Sequence, residues 1–189
     1  MKKKYIIITI PIIYMVDRFY YYSKSKDVDP GKGTNEFVAD ISEYENLKKI
    51  KDWRKVLSNF YEHDFIFDDK KYGDGLKYRT VEHCFQAQKI KLSDKDIAYG
   101  FSLDSKDDIG LGDGNTARKN RKIILLDKKI LLTWDKIKDK MMKAINKCKY
   151  NQCKLFKKVL NLTNNAELWH IVMRSKPIHA EYLEEIRFT

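Results

Sequence analysis

Two consecutive stretches in the second half of the chain repeat apolar side chains at three- and four-residue intervals, and this repeat constrains the fold most strongly. In the first stretch the repeated positions are Trp134, Ile137, Met141, Ile145 and Cys148. The second stretch begins at Asn151 and repeats at Leu155, Phe156, Val159 and Leu160. Because side chains at this spacing share one side of a helix, the pattern predicts two amphipathic helices packed on a common core.

Patterns typical of β-structure are confined to short segments. Residues 19–23 are rich in aromatic side chains and predict a strand, and residues 166–172 predict a buried strand. Residues 65–67 and 71–72 flank an Asp68-Asp69 pair, which predicts a β-hairpin. The sheet is therefore expected to be small.

Short helices are predicted at residues 43–51, 97–101 and 180–186, and the acidic, glycine-containing residues 104–115 predict a loop. A chain of 189 residues with 43% hydrophobic content suits one domain with a single sizeable core. We therefore expect a mainly α-helical α+β fold, a multihelical single domain with a small β-sheet.

The N-terminus imitates a signal peptide, since three lysines precede an apolar run over residues 5–15. The run is too short to span a bilayer, and no small-x-small cleavage site follows it, so no stable membrane insertion is expected. Two interpretations stay open: residues 1–15 are an apolar extension of the domain at residues 16–189, or Met15 is the true first residue.

The charge and the cysteine content bear on partners and compartment. The formal net charge of +11 favours a polyanionic partner such as nucleic acid or a nucleotide, although 31 Lys against 7 Arg also fits the codon bias of an AT-rich genome. Three cysteines without metal-type spacing indicate a reducing, cytoplasmic compartment. No metal site and no cofactor are predicted, and the oligomeric state is left open.

A short polar motif supplies the candidate chemistry. Thr80 is a good helix N-cap, and on the predicted helix 81–90 the side chains of Glu82, Gln86 and Lys89 share one stripe. Such a stripe places a carboxylate, an amide and a cation side by side, as a catalytic or binding face would. The alternative is an acid that interacts with the helix dipole on a solvated face.

A second polar motif, Ser58-Asn59-Phe60, lies about 20 residues before Thr80 in the sequence. Asn59 is suited to hydrogen-bonding a base edge or a ribose, and Phe60 is suited to stacking on a ring. The alternative is an Asn that caps the following turn.

Together the Ser58-Asn59-Phe60 motif and the nearly unbroken run from Val81 to Lys89 resemble the signature of the NADAR superfamily, the YbiA-like N-glycosidase-related domains of NAD and ADP-ribose chemistry. The resemblance covers about residues 19–187. It places the family's essential glutamate at Glu82, where a carboxylate stabilises an oxocarbenium-like ribose, activates water or attacks the sugar.

Further candidate ligand-binding residues come from the basic cluster at residues 118–122, from Trp134 and Trp169, and from one loop. The candidate substrate-binding residues are Ser58, Asn59, Phe60, His83, Gln86, Lys89, Arg118, Lys119, Trp134, Trp169 and His170. Loop 23–33 resembles the family's early Tyr-Ser segment, and its Lys24 and Lys32, with backbone amides of the Gly-x-Gly, suit a diphosphate. The alternatives are a solvated charge run, packed aromatic side chains and an ordinary loop.

The chain departs from the family pattern near its C-terminus. Many relatives have Leu-x-Glu followed by an Asp and Trp-Gly, whereas this chain has Leu168-Trp169-His170 and resembles a Leu-Trp-His variant of viral-looking members. The departure leaves the second catalytic group open among Asp108, Asp113 and His170.

Three functional interpretations follow. The resemblance implies an N-glycosidase whose substrate is either ADP-ribose attached to guanine bases of nucleic acid, which the basic cluster favours, or a phosphorylated intermediate of riboflavin synthesis. The second interpretation is a non-catalytic module that binds ADP-ribose or nucleic acid. The third is a small basic structural protein, which has little use for the polar motifs around Asn59 and Glu82.

Overall fold

The computed structural model describes residues 16–189, and the predicted extension at residues 1–15 lies outside the described residues. The α-helices of the described part are α1 (Glu45–Lys48), α2 (Trp53–Val56), α3 (Val81–Ile90), α4 (Lys95–Tyr99), α5 (Asp108–Leu111), α6 (Gly114–Lys119), α7 (Lys128–Gln152), α8 (Lys154–Leu162) and α9 (Glu181–Arg187). Short 3-10 helices lie at Ile41–Tyr44, Leu103–Ser105 and Asn120–Lys122. The strands are β1 (Arg18–Tyr21), β2 (Phe65–Ile66), β3 (Lys77–Tyr78), β4 (Glu167–His170) and β5 (Ile178–His179). The fold is therefore a mainly helical α+β domain, as the sequence predicts.

The larger sheet joins the two ends of the described chain. Its strand order is β1-β4-β5, with β1 and β4 parallel and β4 and β5 antiparallel. The register places Tyr21 beside His170 and Trp169 beside His179. Because successive side chains of a strand point to opposite faces, Trp169 and His170 lie on different sides of this sheet.

Helices α7 and α8 confirm the two apolar repeats, with one correction. Met141 and Ile145 of α7 and Phe156 of α8 are buried. Leu155, however, is 38% exposed, so its predicted burial is wrong. The second helix does not begin at Asn151, because α7 continues through Gln152, Cys153 is extended (φ −102°, ψ 99°), and α8 begins at Lys154. Within α8, Leu155 lies at the edge of the side formed by the buried residues Phe156, Val159 and Leu160.

The described core has two clusters of buried side chains. The sheet cluster contains Phe19, Leu168 and Cys153 together with residues of α8 and α9. The α3–α7 cluster contains Cys84 and Cys148. All three cysteines are free thiols and are buried; burial raises the pKa of Cys84, and it raises the pKa of Cys148 to about 12. Along the described residues no helix combines the length and apolar character needed to cross a bilayer.

The predicted hairpin is correct in its first strand and wrong in its second. Strand β2 pairs with β3, not with residues 71–72. The carboxylate of Asp69 accepts the backbone N–H groups of Lys71 and Tyr72 at 2.9 Å each, and the Gly73 N–H reaches the Asp69 carbonyl. These bonds fold the segment into a turn, because an Asp side chain competes with ladder hydrogen bonding.

The predicted loop at residues 104–115 is also corrected, since it contains α5 and the beginning of α6. Asp113 caps α6 by accepting the Thr116 N–H at 2.8 Å. Gly110, which suggested a loop, permits close packing instead: a Cβ there would lie 2.0 Å from the Ser102 carbonyl oxygen. Position 110 therefore requires glycine, because the backbone of Ser102 leaves no room for a Cβ atom.

A buried ion pair organises the segment before α1. The side chains of Arg54 and Glu36 are 3% and 0% exposed, and Arg54 Nη2 lies 2.6 Å from Glu36 Oε2. The same carboxylate accepts the backbone N–H groups of Gly31 and Gly33, and Arg54 donates to the Val28 carbonyl at 2.6 Å. Loop 23–33 is therefore fixed from inside by two charged side chains.

Candidate active site

A cleft of about 440 Å³ opens where α3, α6, α7 and the C-terminal part of the chain meet. Side chains reach it from the turn at residues 58–60, from helix α3, from the basic segment that includes α6, and from residues 170–182. Clefts of this size with converging polar groups are typical of small-molecule sites.

Glu82 lies in the cleft wall at the first turn of α3. Thr80 caps the helix by accepting the His83 N–H at 3.2 Å, as the sequence predicts. Glu82 is 9% exposed, and its Oε1 accepts a hydrogen bond from Gln86 Nε2 at 2.9 Å. Burial raises the pKa of Glu82, while the Gln86 hydrogen bond and the charges of Arg118 and Arg121 oppose the shift. The carboxylate is therefore more basic than an exposed one.

The turn at residues 58–60 is attached to the first turn of α3. The Asn59 carbonyl accepts the Glu82 N–H at 3.0 Å, and the Ser58 hydroxyl accepts the Phe60 N–H at 3.2 Å. Gly114 at the start of α6 packs on Phe60, since a Cβ there would lie 2.8 Å from Phe60 Cγ. The two polar motifs thus form one site, held together by backbone contacts.

The rim of the cleft is cationic. Arg118 and Arg121 are exposed and line it, and the Arg118 guanidinium lies 5.9 Å from the centre of the Phe60 ring. Lys138 and Asp139 of α7 complete this side. Guanidinium groups bind phosphate and stack on aromatic rings, so the rim is suited to a phosphorylated ligand.

A buried acceptor in the wall has no partner within the described part of the chain. Gln86 donates its amide N–H to Glu82, but its Oε1 accepts no hydrogen bond. Buried polar atoms are normally paired. A hydroxyl or N–H group of a bound ligand would satisfy this oxygen.

His170 approaches the cleft from strand β4. Its ring stacks on Tyr21 with 5.4 Å between centroids, and burial together with the Arg118 charge lowers its pKa, so the imidazole is neutral near pH 7. Of the three candidates for a second catalytic group, His170 lines the cleft. Asp113 instead caps α6, where hydrogen bonds lower its pKa to about 2, and Asp108 begins α5.

The structure brings together seven of the predicted site residues. They are Ser58, Asn59, Phe60, Glu82, Gln86, Arg118 and His170. The predicted residues that the structure places outside the cleft lining are Lys24, Lys32, His83, Lys89, Lys119, Trp134 and Trp169.

Packing accounts for the three ring-bearing residues outside the cleft. His83 is fully buried, with Nδ1 2.8 Å from the Thr80 hydroxyl and Nε2 3.0 Å from the Ile109 carbonyl. Trp134 packs edge-on against Phe85. Trp169 lies on the face of β4 opposite His170 and stacks on the His179 ring at 4.7 Å.

The four predicted lysines outside the cleft lining lie on loop 23–33 and on helices α3 and α6. Lys32 Nζ lies 3.4 Å from Asp29 Oδ2, and the amides of Gly31 and Gly33 donate to Glu36 instead of facing a ligand. Lys24 is exposed on the same loop. The predicted diphosphate loop is therefore occupied by a carboxylate of the chain itself. Lys89 and Lys119 lie near the cleft on α3 and α6 without lining it.

Several lining residues escaped the sequence-based list. These are Tyr22, Ser23, Phe85, Arg121, Lys138, Asp139, Met142, Ile171, Val172, Met173, Ile178, Ala180 and Tyr182. Phe85 and Arg121 stand inside motifs that the sequence shows, and Lys138 and Met142 follow Trp134 in a Trp-x-x-x-Lys-x-x-x-Met pattern. Residues 171–182 carry no local signal, because the β4–β5 pairing brings them to the site.

The arrangement suits acid–base chemistry on a nucleotide-like ligand. It offers a carboxylate with a raised pKa, an adjacent amide, a neutral imidazole, aromatic rings and two guanidinium groups. Within residues 16–189 no group of three or more His, Cys, Asp or Glu side chains is arranged to hold a metal ion.

Comparison with models of known protein families identifies the family of this chain. The family model of the NADAR domain matches residues 47–175, more than half of the chain. The matched range includes the 58–60 turn, α3, the cationic rim and β4. A search of curated proteins gave no match.

Proposed function

The chain belongs to the NADAR family of N-glycosidase-like domains, and we propose that its cleft is the active site of an N-glycosidase that hydrolyses an ADP-ribose-type substrate. The observation that carries the proposal is the position of Glu82 in the cleft wall, buried, bonded to Gln86 and facing a cationic rim. The family resemblance supports the assignment independently.

In the proposed reaction the bond between the ribose C1′ atom and the base nitrogen breaks. A water oxygen bonds to C1′, and the proton of that water passes to the Glu82 carboxylate. The base nitrogen keeps the electron pair and takes up a proton from solvent, and Glu82 returns its proton to solvent to complete the cycle. Glu82 also stabilises the positive charge that develops on the ribose. His170 is the candidate second group, since it faces the same space.

The favoured substrate is ADP-ribose attached to guanine in nucleic acid, and the distribution of charge supports it. Residues 114–143 contain ten Lys and Arg but three Asp, whereas residues 16–113 contain 17 Lys and Arg and 20 Asp and Glu. This basic segment supplies Arg118, Arg121 and Lys138 to the cleft lining, a placement that a codon bias acting on the whole chain does not explain. Phosphates flanking a modified base would bind there. Three free, buried thiols fit the proposed reducing, cytoplasmic compartment.

Two other interpretations remain as outcomes of the test. Phosphorylated intermediates of riboflavin synthesis would use the same carboxylate and cationic rim. A non-catalytic module for ADP-ribose or nucleic acid would use the rim and the aromatic rings without Glu82.

The test is product analysis by liquid chromatography and mass spectrometry. The substrates are a guanine-ADP-ribosylated oligonucleotide and a phosphorylated riboflavin precursor. Release of ADP-ribose from the oligonucleotide is the expected result. Cleavage of the precursor alone would assign the protein to metabolite disposal, and binding without cleavage of either substrate would make it a binding module.

Replacing Arg118 and Arg121 together by Ala should weaken binding of the ADP-ribosylated oligonucleotide about tenfold to a hundredfold, because two phosphate-binding cations are removed. The slope of log Kd against log salt should also fall by about two. Fluorescence anisotropy over a salt series measures both. The control is Lys154→Ala with Lys158→Ala on α8, which removes the same charge from outside the cleft; equal weakening by both pairs would contradict a specific rim.

The activity should also reveal the raised pKa of Glu82. The active carboxylate is ionised, so kcat/KM falls as the pH drops through its pKa. Since burial raises that pKa, the acid limb should lie above the value of about 4.3 for an unperturbed glutamate. It should move higher still in the Arg118→Ala/Arg121→Ala variant, which lacks the two opposing charges. A pH–rate profile with the limb at or below the ordinary value would contradict the assignment.

A further inference from the structure

The side chain of Lys149 on α7 is fully buried. Its ammonium lies 4.4 Å from the centre of the Phe156 ring and 5.2 Å from that of Tyr61. Within the described chain it has backbone carbonyls as hydrogen-bond acceptors and no carboxylate partner. Burying an ammonium is unfavourable unless good contacts offset the lost hydration, and an apolar side chain would fill the same space at lower cost.

The two acceptors identify what Lys149 holds. They are the carbonyl oxygens of Val56, at 3.4 Å, and Ser58, at 3.3 Å. Val56 is the last residue of α2, where carbonyl groups lack partners within the helix. Ser58 begins the 58–60 turn. The ammonium therefore connects helix α7 to the end of α2 and to the beginning of the 58–60 turn.

The contacts continue from this turn to the catalytic candidate. Asn59 follows Ser58 directly, lines the cleft and accepts the Glu82 N–H through its carbonyl oxygen. Asn59 also contacts the sulfur of Met142, which is held by Asn146 one turn before Lys149. A displacement of the Ser58 carbonyl would thus move Asn59 and the first turn of α3 together.

We propose that Lys149 is a positioning residue for the reaction: its ammonium holds the Val56 and Ser58 carbonyl groups and thereby fixes Asn59 and Glu82 relative to the substrate. The proposal rests on the proposed function of the cleft. Burial lowers the pKa of Lys149 to about 7, but a neutral amine still has two N–H donors for its two acceptors, so the contacts do not depend on its charge.

The first test is Lys149→Met, which keeps an unbranched side chain, one atom shorter, and removes the donors. We expect kcat to fall about tenfold to a hundredfold, with KM changed less than threefold and the melting temperature unchanged or higher. Lys149→Gln, whose shorter side chain keeps an amide with two N–H donors, should give an intermediate kcat. If the Met variant does not fold, Lys149→Leu takes its place, because it also lacks donors, and wild-type kcat in that variant would overturn the proposal.

The matched control is Arg187→Met. Arg187 is a second buried basic residue, 8% exposed, which donates to the Thr163 hydroxyl at 2.8 Å and the Ala166 carbonyl at 3.0 Å outside the cleft lining. Its replacement should lower the melting temperature and leave kcat unchanged. If kcat falls equally in both variants, Lys149 has a merely structural role.

A measurement that does not require turnover distinguishes the positioning role of Lys149 from the glycosidase activity of the cleft. Titration of the Glu82 carboxyl carbon by NMR, assigned with Glu82→Gln, should give a changed Glu82 pKa in Lys149→Met and an unchanged one in Arg187→Met. Absence of turnover in the wild-type protein would reject the glycosidase function but not this result. An unchanged Glu82 pKa in Lys149→Met would reject positioning even if the wild-type protein is active.

Discussion

Glu82→Gln is expected to lower kcat about a thousandfold or more while the protein stays folded and binds ligand with near wild-type affinity. Glutamine has the same shape and keeps a hydrogen bond with Gln86, but it neither takes the proton of water nor balances the charge on the ribose. General acid–base catalysis contributes about a hundredfold to ten-thousandfold, and charge stabilisation adds a comparable factor. Because burial disfavours the ionised form of Glu82, the neutral amide should not reduce stability.

The measurement is single-turnover release of ADP-ribose, together with calorimetric titration of free ADP-ribose. Asp139→Asn is the matched control, because Asp139 is the other carboxylate among the described lining residues. Its loss should change kcat by less than about tenfold, since an exposed carboxylate acts weakly through solvent. Full residual activity of Glu82→Gln would refute the catalytic assignment and favour a binding module.

Arg54→Met is expected to reduce the free energy of unfolding by about 3–5 kcal/mol, because it leaves the carboxylate of Glu36 buried without its cation. For a chain of this length such a loss lowers the melting temperature by roughly 6–20 °C. Loop 23–33 should loosen as well, since Arg54 also binds the carbonyl groups of Val28 and Asp29. Thermal and urea unfolding of the variant measure the effect.

Two further variants test whether the loss of stability comes from the unpaired, buried carboxylate of Glu36. Arg54→Met with Glu36→Gln should recover part of the loss, because a neutral amide replaces the unpaired charge. Arg18→Met removes the partner of Glu167 in an ion pair whose side chains are 48% and 24% exposed, and it should cost less than about 1 kcal/mol. A similar loss from Arg18→Met and Arg54→Met would mean that burial does not decide the strength of these pairs.

The parts of the fold that sequence could predict are those specified by neighbouring residues. Helix α3 has its cap, its apolar side and its polar stripe within residues 80–90, so its bounds follow from local chemistry. The repeat in α7 is equally local. In the site, Asn59 and Glu82 belong to compact motifs, and a single backbone hydrogen bond brings them together.

The parts that sequence could not predict depend on distant partners. Gly31 and Gly33 are typical of a phosphate loop, but Glu36 and Arg54 occupy the loop's hydrogen-bonding groups. Trp169 and His170 are adjacent in sequence, and only the pairing of β4 with its neighbours decides which of them faces the cleft. Residues 171–182 enter the site through the same pairing, which no local pattern encodes.

Because the three cysteines are buried in two different core clusters, their reactivity can be used to detect local opening of the folded protein. A thiol reagent attacks the thiolate, and burial both blocks the reagent and raises the pKa of Cys84 and Cys148. Cys153 belongs to the sheet cluster, and the other two belong to the α3–α7 cluster. The alkylation rate of each cysteine therefore reports how often its own half of the core opens, without any introduced label.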